Sequence, residues 1–321
     1  MGSPRYCGHM PAMTQNSDDT VRMKSERFIR TLEGLLSDGY PSFADAKKIC
    51  FVDPDVTASA AMILSEYAND CGKIPVPLIK GANIPKWVDG ETCAVVASYY
   101  NDTETVRCLE ELMKRNAKIV CISVRGEASQ FCDDNDIHFI ELHENLTLQE
   151  AVGSIVVIVS YILQGSGVCD SRDSAVKAVS SLKKRLTLPR RTRKEMSSII
   201  SSIPGKNILL ISLSDLRGAA AVWKNHLSSV TGEPIFSTEL PEYDHNEIVG
   251  WCNENIDADN MLAVVIHNHS IHLLDVIVES ATDVVGDCGR DILTVRIDGS
   301  DTIERNLYCI MMSYQFTEAG Q

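Results

Sequence analysis

The chain has 321 residues, 44% of them apolar and 23% charged, and a formal net charge of −14. That length predicts two domains of roughly 150 residues each, and the acidic balance argues against nucleic acid or an anionic membrane as a partner. No apolar run reaches the roughly 20 residues that span a bilayer, and Met1–Thr20 is polar, without the apolar stretch of a signal peptide, so a cytoplasmic protein is expected.

Residues 1–42 read as an N-terminal extension and helix. The first strand is Lys48–Val52, a short β-branched run. A helix follows over Thr57–Asp70, with Ala60, Ile63, Leu64 and Tyr67 at helical spacing. Pro75–Ile79, Cys93–Ser98, Lys118–Ser123 and His138–Leu142 read as further strands, with a helix over Thr103–Arg115 and a long one over Leu148–Leu163. The apolar run Ile155–Leu163 inside that last helix carries Ser160 and Tyr161 and reads as core. Ser171–Ser202 is basic and helical, broken by Pro189. The pattern then repeats: strand Asn207–Ser212, helix Leu216–Val230, strands Met261–Ile266 and Asp291–Ile297 with a helix over Ile271–Ala281 between them, and a final helix Ile303–Tyr314. Strands alternating with helices of this length make βαβ units. The expected class is therefore α/β: two tandem domains at 43–165 and 205–321, each a mostly parallel sheet flanked by helices, joined by a helical connector at 166–204.

Eleven cysteines are present, and Cys50, Cys93 and Cys121 fall inside predicted strands, which suits buried, reduced thiols. His267, His269 and His272 cluster without a cysteine or carboxylate at ligand spacing, and Cys132 and His138 have no second pair. No metal is expected.

In parallel sheets, ligands sit beyond the carboxyl ends of strands, near helix N-termini. Asp53–Ser59 and Ser98–Thr103 occupy such positions, and their hydroxyls and backbone N–H groups can either hold a phosphate or simply cap the following helices. Leu240–Trp251 places His245 among Glu242, Asp244 and Glu247, where an imidazole can act as acid or base, or lie on polar surface.

Ser98-Tyr-Tyr-Asn-Asp-Thr103, Leu216-Arg-Gly218 with Trp223-Lys-Asn225, and Leu240-Pro-Glu with His245-Asn-Glu and Gly250-Trp251 together resemble the archaeal-type bifunctional phosphoglucose/phosphomannose isomerases, which are tandem sugar isomerase (SIS) domain proteins. The resemblance runs over roughly residues 45–310. It implies a homodimer and an aldose–ketose isomerisation of the glucose-6-phosphate/mannose-6-phosphate type through an enediol, with no metal or organic cofactor. In that chemistry a glutamate moves the proton, a histidine from across the dimer interface assists ring opening, and an arginine steadies the enediolate. Carried over residue by residue, His245 is the family histidine. Thr57, Ser98 and Thr103 are phosphate-loop hydroxyls, and Arg217 and Gly218 are the arginine–glycine pair.

Departures from the pattern fall on the chemistry. Ungapped counting puts the family glutamate on Ser229, leaving Glu233, Glu239 and Glu242 as candidate replacement bases. The family arginine falls near Thr147–Gln149, where none exists. The glycine-rich first loop has become Asp53-Pro-Asp-Val-Thr57, and the second carries Tyr100, Asn101 and Asp102. Asp53, Asp55, Asp102 and Glu104 are expected to ring the phosphate pocket. Two unit charges about 4–6 Å apart repel by about 3–4 kcal/mol at an effective dielectric of about 20, against about 8 kcal/mol for a micromolar ligand.

Three readings follow. The first is a divergent sugar-phosphate isomerase that binds a sugar or sugar phosphate. The second is a catalytically inactive SIS protein serving as ligand sensor, regulator or assembly subunit. The third is an enzyme on a cationic or uncharged sugar-like substrate, which an acidic pocket suits.

Overall fold

The computed structural model describes residues 18–100, 103–241, 260–268 and 291–316, together with 250, 279, 282–284 and 286–287. Two separate parallel sheets form. The first contains β1 (Lys48–Asp53), β2 (Leu78–Lys80), β3 (Thr92–Ser98), β4 (Lys118–Ser123) and β5 (His138–Glu141), in the order β2-β1-β3-β4-β5. The second contains β6 (Asn207–Leu213), β7 (Ile235–Leu240), β8 (Met261–His267) and β9 (Asp291–Arg296), in the order β7-β6-β8-β9. Every pairing is parallel, as crossover helices require. The fold is thus α/β, with two tandem parallel-sheet domains.

The helices are α1 (Asp18–Leu35), α2 (Ala58–Cys71), α3 (Thr103–Lys114), α4 (Glu127–Asp134), α5 (Leu148–Gly165), α6 (Ser171–Lys184), α7 (Arg190–Ser202), α8 (Arg217–Thr231) and α9 (Thr302–Met312). The expected strands and helices fall within a few residues of these bounds; the helix expected over Ile271–Ala281 lies almost wholly outside the described residues. β2 is shorter than its apolar run because Pro75 and Pro77 have no N–H to give a ladder; only the Pro77 carbonyl is used, accepting from Phe51 N–H at 2.9 Å. β7 and α4 carry weak sequence signals: β7 is an edge strand with Phe236 exposed, and α4 is short and acidic.

Strand alternation sorts the first sheet's two faces. Ile49, Phe51, Cys93, Val95, Val120 and Ile122 face α2 and α5, while Cys50, Val52, Ala94, Val96 and Cys121 face α3 and α4. The first of these cores does not stop at the domain edge. It runs on through α2, α5, α6, α8 and α9 to Ile208, Leu210, Leu262 and Val264 of the second sheet. The basic segment after α5 is therefore more than a tether. α6 packs between α5 and α9, and α7 packs on β9, with Pro189 preceding its first turn. α5 is long and apolar enough to cross a membrane by composition, but 83% of it is buried inside the fold. The eight described cysteines are free, and seven are buried.

The two domains meet tightly where α2 packs on α8. A Cβ on Gly218 would come within 2.4 Å of Ile63 Cγ1 and 2.7 Å of the Ser59 carbonyl oxygen. Gly218→Ala should therefore cost about 1–3 kcal/mol of unfolding free energy. Gly34→Ala, in α1 with nothing within 4 Å of the added carbon, should be neutral or stabilising by up to about 1 kcal/mol. Urea titrations of the two variants check this; equal midpoints would rule out a packing role for Gly218.

Candidate functional site

The carboxyl end of β1 turns into α2 through Asp53–Thr57, and the end of β3 turns towards α3 through Ser98–Tyr100. The two loops are locked together by one side chain. Asp55 Oδ2 accepts from Ser98 Oγ at 2.9 Å, Tyr99 N–H at 2.8 Å and Tyr100 N–H at 3.3 Å. Its Oδ1 accepts from Thr57 N–H at 2.6 Å and Thr57 Oγ1 at 2.5 Å. Thr57 Oγ1 also lies 3.0 Å from Asp53 Oδ2. A hydroxyl has one hydrogen to donate. With that hydrogen on Asp55, the proton between Thr57 and Asp53 belongs to Asp53. The environment agrees: burial, with the Asp55 charge second, pushes the Asp53 carboxyl well above its ordinary value of 3.8.

The other expected pocket acid within the described residues turns away. Glu104 accepts from Ala82 N–H at 3.2 Å and pairs with Arg107 at 3.3 Å. Asn101 and Asp102 lie outside the described residues, and Thr103 is the exposed first residue of α3.

Beside these loops opens a cavity of about 490 Å³, a size suited to a small ligand. Val56 and Tyr100 bring the first sheet's loops to it, Thr147–Gln149 the start of α5, and Asn225, His226, Ser228 and Ser229 one face of α8. Lys24 and Tyr314 close it. Thr147 caps α5 reciprocally with Glu150, donor distances being 2.8 Å and 3.2 Å. The nearly fully buried Glu150 in turn holds Arg27 of α1 at 2.7 Å. That contact seats α1 and places Lys24, one turn earlier, at the cavity. Tyr314 Oη lies 3.0 Å from Thr147 Oγ1, Gln149 donates to Ser313 Oγ at 2.9 Å, and His226 Nε2 lies 2.9 Å from the Phe316 carbonyl. Burial raises the Tyr314 phenol, so it stays neutral. A second cavity, about 460 Å³, lies at the amino ends of β4 and β5 beside Lys118 and His138, the end of a parallel sheet that ligands do not favour.

The cavity thus brings together Ser229 and Thr147–Gln149, with the Thr57 and Ser98 hydroxyls in the adjoining loop. Arg217 and Gly218 stand apart from it. Arg217 pairs with Glu66 of α2 at 3.2 Å, and Gly218 serves the α2–α8 contact. Glu233 sits in the turn after α8 and Glu239 on β7, and neither lines the cavity. His245 and Glu242 lie outside the described residues, as do His269 and His272; His267 ends β8 and is buried. Lys24 and His226 escaped the sequence reading. Lys24 lies on a polar helix with no motif around it, and only the α8 spacing of His226 from Ser229 pointed to its position.

Residues 193–314 match the model of the bacterial phosphoglucose isomerase C-terminal SIS domain. Over 241 residues, 74% of this chain and 72% of the relative, the chain is 23% identical to the bifunctional phosphoglucose/phosphomannose isomerase of Aquifex aeolicus. It is 24% identical to the enzyme of the same description from Caldicellulosiruptor bescii, over 64% of this chain but 63% of the relative, less than two thirds of its length. The chain is thus similar to those isomerases over most of its length, and to the phosphoglucose isomerase SIS domain over its C-terminal part. Its fold is also that of the C-terminal domain of glucosamine-fructose-6-phosphate aminotransferase from Francisella tularensis, with a TM-score of 0.67, 16% identity and coverage of 92% and 93% of the two chains.

Burial, with the Asp55 charge second, favours the neutral acid at Asp53. A carboxyl whose folded value is raised adds stability that is fully present below its unfolded value and is lost as the pH climbs through the folded one. Asp53→Asn fixes the neutral form. It should be more stable than the native protein at pH 7–8, with the gap closing as the pH falls to about 4. Thermal unfolding across that range checks it; an Asn variant less stable at both ends would make Asp53 a charged partner instead.

Proposed function

We propose that this protein binds a sugar derivative in the cavity beside α8, as a ligand-binding member of the isomerase family. One observation carries the reading. The cavity draws its walls from several of the segments that the family resemblance assigns to the active site, yet polar, uncharged groups stand where that chemistry wants ions. Ungapped counting puts Ser229 at the family's glutamate position and Thr147–Gln149 near its arginine position, while the cationic group at the cavity is Lys24 on α1. Hydroxyl, amide and imidazole groups at Thr147, Gln149, Asn225, His226 and Ser228 suit the hydroxyls of a sugar, each a donor and an acceptor. Such a site supports recognition, as in a sensor, a regulator or a subunit of an assembly. The same resemblance makes a homodimer the expected assembly, which light scattering tests directly.

A second reading is the aldose–ketose isomerisation of the glucose-6-phosphate/mannose-6-phosphate class. The His245-Asn-Glu segment favours it, with His226 as a further imidazole at the cavity. The two readings separate on one protein preparation. Calorimetry with glucose, mannose, fructose and their 6-phosphates should show binding that Lys24→Ala weakens roughly tenfold. Fructose 6-phosphate, followed by glucose 6-phosphate and mannose 6-phosphate formation, should show no turnover above a His245→Ala control. Turnover abolished by that substitution would establish the isomerase instead, and no sugar binding at all would remove the first reading.

A further inference from the structure

We propose that Asp55 is a tethered anion that fills the donor cradle between the β1 and β3 loops, and so makes the adjoining cavity selective for a sugar without a phosphate group. Five donors from two loops converge on this one carboxylate. Ser98 Oγ and the N–H groups of Tyr99 and Tyr100 come from one side, Thr57 N–H and Oγ1 from the other. Backbone N–H groups and hydroxyls converging beyond the carboxyl ends of parallel strands are the chemistry that holds an anion. Here the anion belongs to the chain. Both carboxylate oxygens are engaged, and neither loop offers a lysine or arginine that would admit a second negative charge.

The cradle adjoins the cavity. Val56 lies between Asp55 and Thr57 in sequence and Tyr100 is itself a donor, and both line the cavity wall. A ligand seated there meets a filled anion site. Because Asp55 sits in the same turn as Thr57, its local concentration at the donors far exceeds that of any free phosphate. A phosphorylated sugar has to displace it or bear its repulsion, whereas an uncharged sugar does neither. The selectivity rests on the cavity being a sugar site; the filled cradle does not.

The test uses the full chain with inorganic phosphate, glucose and glucose 6-phosphate as probes, read by melting temperature and calorimetry. In the native protein, phosphate should leave the melting temperature unchanged and glucose 6-phosphate should bind no tighter than glucose. In Asp55→Ala the emptied cradle should be stabilised by phosphate, and glucose 6-phosphate should gain affinity on the order of a hundredfold, the size of one removed charge. Adding Ser98→Ala should take that gain away. The proposal is overturned if the native protein already binds phosphate through Ser98, or if Asp55→Ala gains nothing. Should that variant not fold, the native protein alone decides, since a preference for glucose 6-phosphate that Ser98→Ala abolishes would refute the tethered anion. If Asp55→Ala gains phosphate affinity while neither protein binds glucose, the tethered anion stands and the sugar-site reading falls.

Discussion

Helix α5 has no face to give to water. From Gln149 to Leu163 every side chain is buried, and a helix apolar on all sides must be covered on all sides. α1, α2, α6 and α9 do the covering, and two of them belong with the second sheet's side of the molecule or bridge to it. One core therefore serves both domains. The site inherits this rigidity. Its wall at Thr147–Gln149 is the first turn of this buried helix, and another wall, α8, is pressed on α2 by a glycine that leaves no room for a methyl group.

Polar contacts at the edge of that core fix register more than they add stability. Glu150 is buried, and its partner Arg27 is half exposed. Removing one partner of such a pair is costly, whereas the intact pair contributes modestly. What the pair does is positional: it fixes α1 against the start of α5, so that Phe28 and Leu32 lie over Gly153 and Lys24 meets the cavity. The C-terminal turn is fixed in the same manner. Trp223 donates to the Cys309 carbonyl at 2.7 Å and meets Phe316 edge-on at 4.8 Å, which brings Tyr314 and the Phe316 carbonyl to Thr147 and His226.

The parts of this architecture that were legible from sequence are those set by local pattern. Runs such as Cys93–Ser98 and Lys118–Ser123 are β-branched, apolar and bounded by polar turns, so both strands were placed almost to the residue. β7 was not, because an edge strand with exposed Phe236 and Ser237 lacks a continuous apolar run. The family motifs were visible as letters, but letters do not give direction. Arg217 and Gly218 match the motif and face α2. Lys24 matches nothing and faces the cavity, because its place depends on a long-range pair between Arg27 and Glu150.

The acidic loops show most clearly why counting charges is a different exercise from placing them. Read from sequence, Asp53, Asp55, Asp102 and Glu104 form a repulsive ring. In the folded chain the three described members have three different fates. Glu104 is spent on Arg107 and the Ala82 N–H. Asp53 is buried beside another carboxylate, a pair that cannot both stay ionised at low cost, and takes the proton. Asp55 accepts from five hydrogen-bond donors. A loop that loses its glycines loses close backbone approach to a free ligand. An aspartate entering the same turn supplies from within the anion that the donors require, so no buried N–H is orphaned. The substitution thus preserves the fold of the cradle while changing what can enter it.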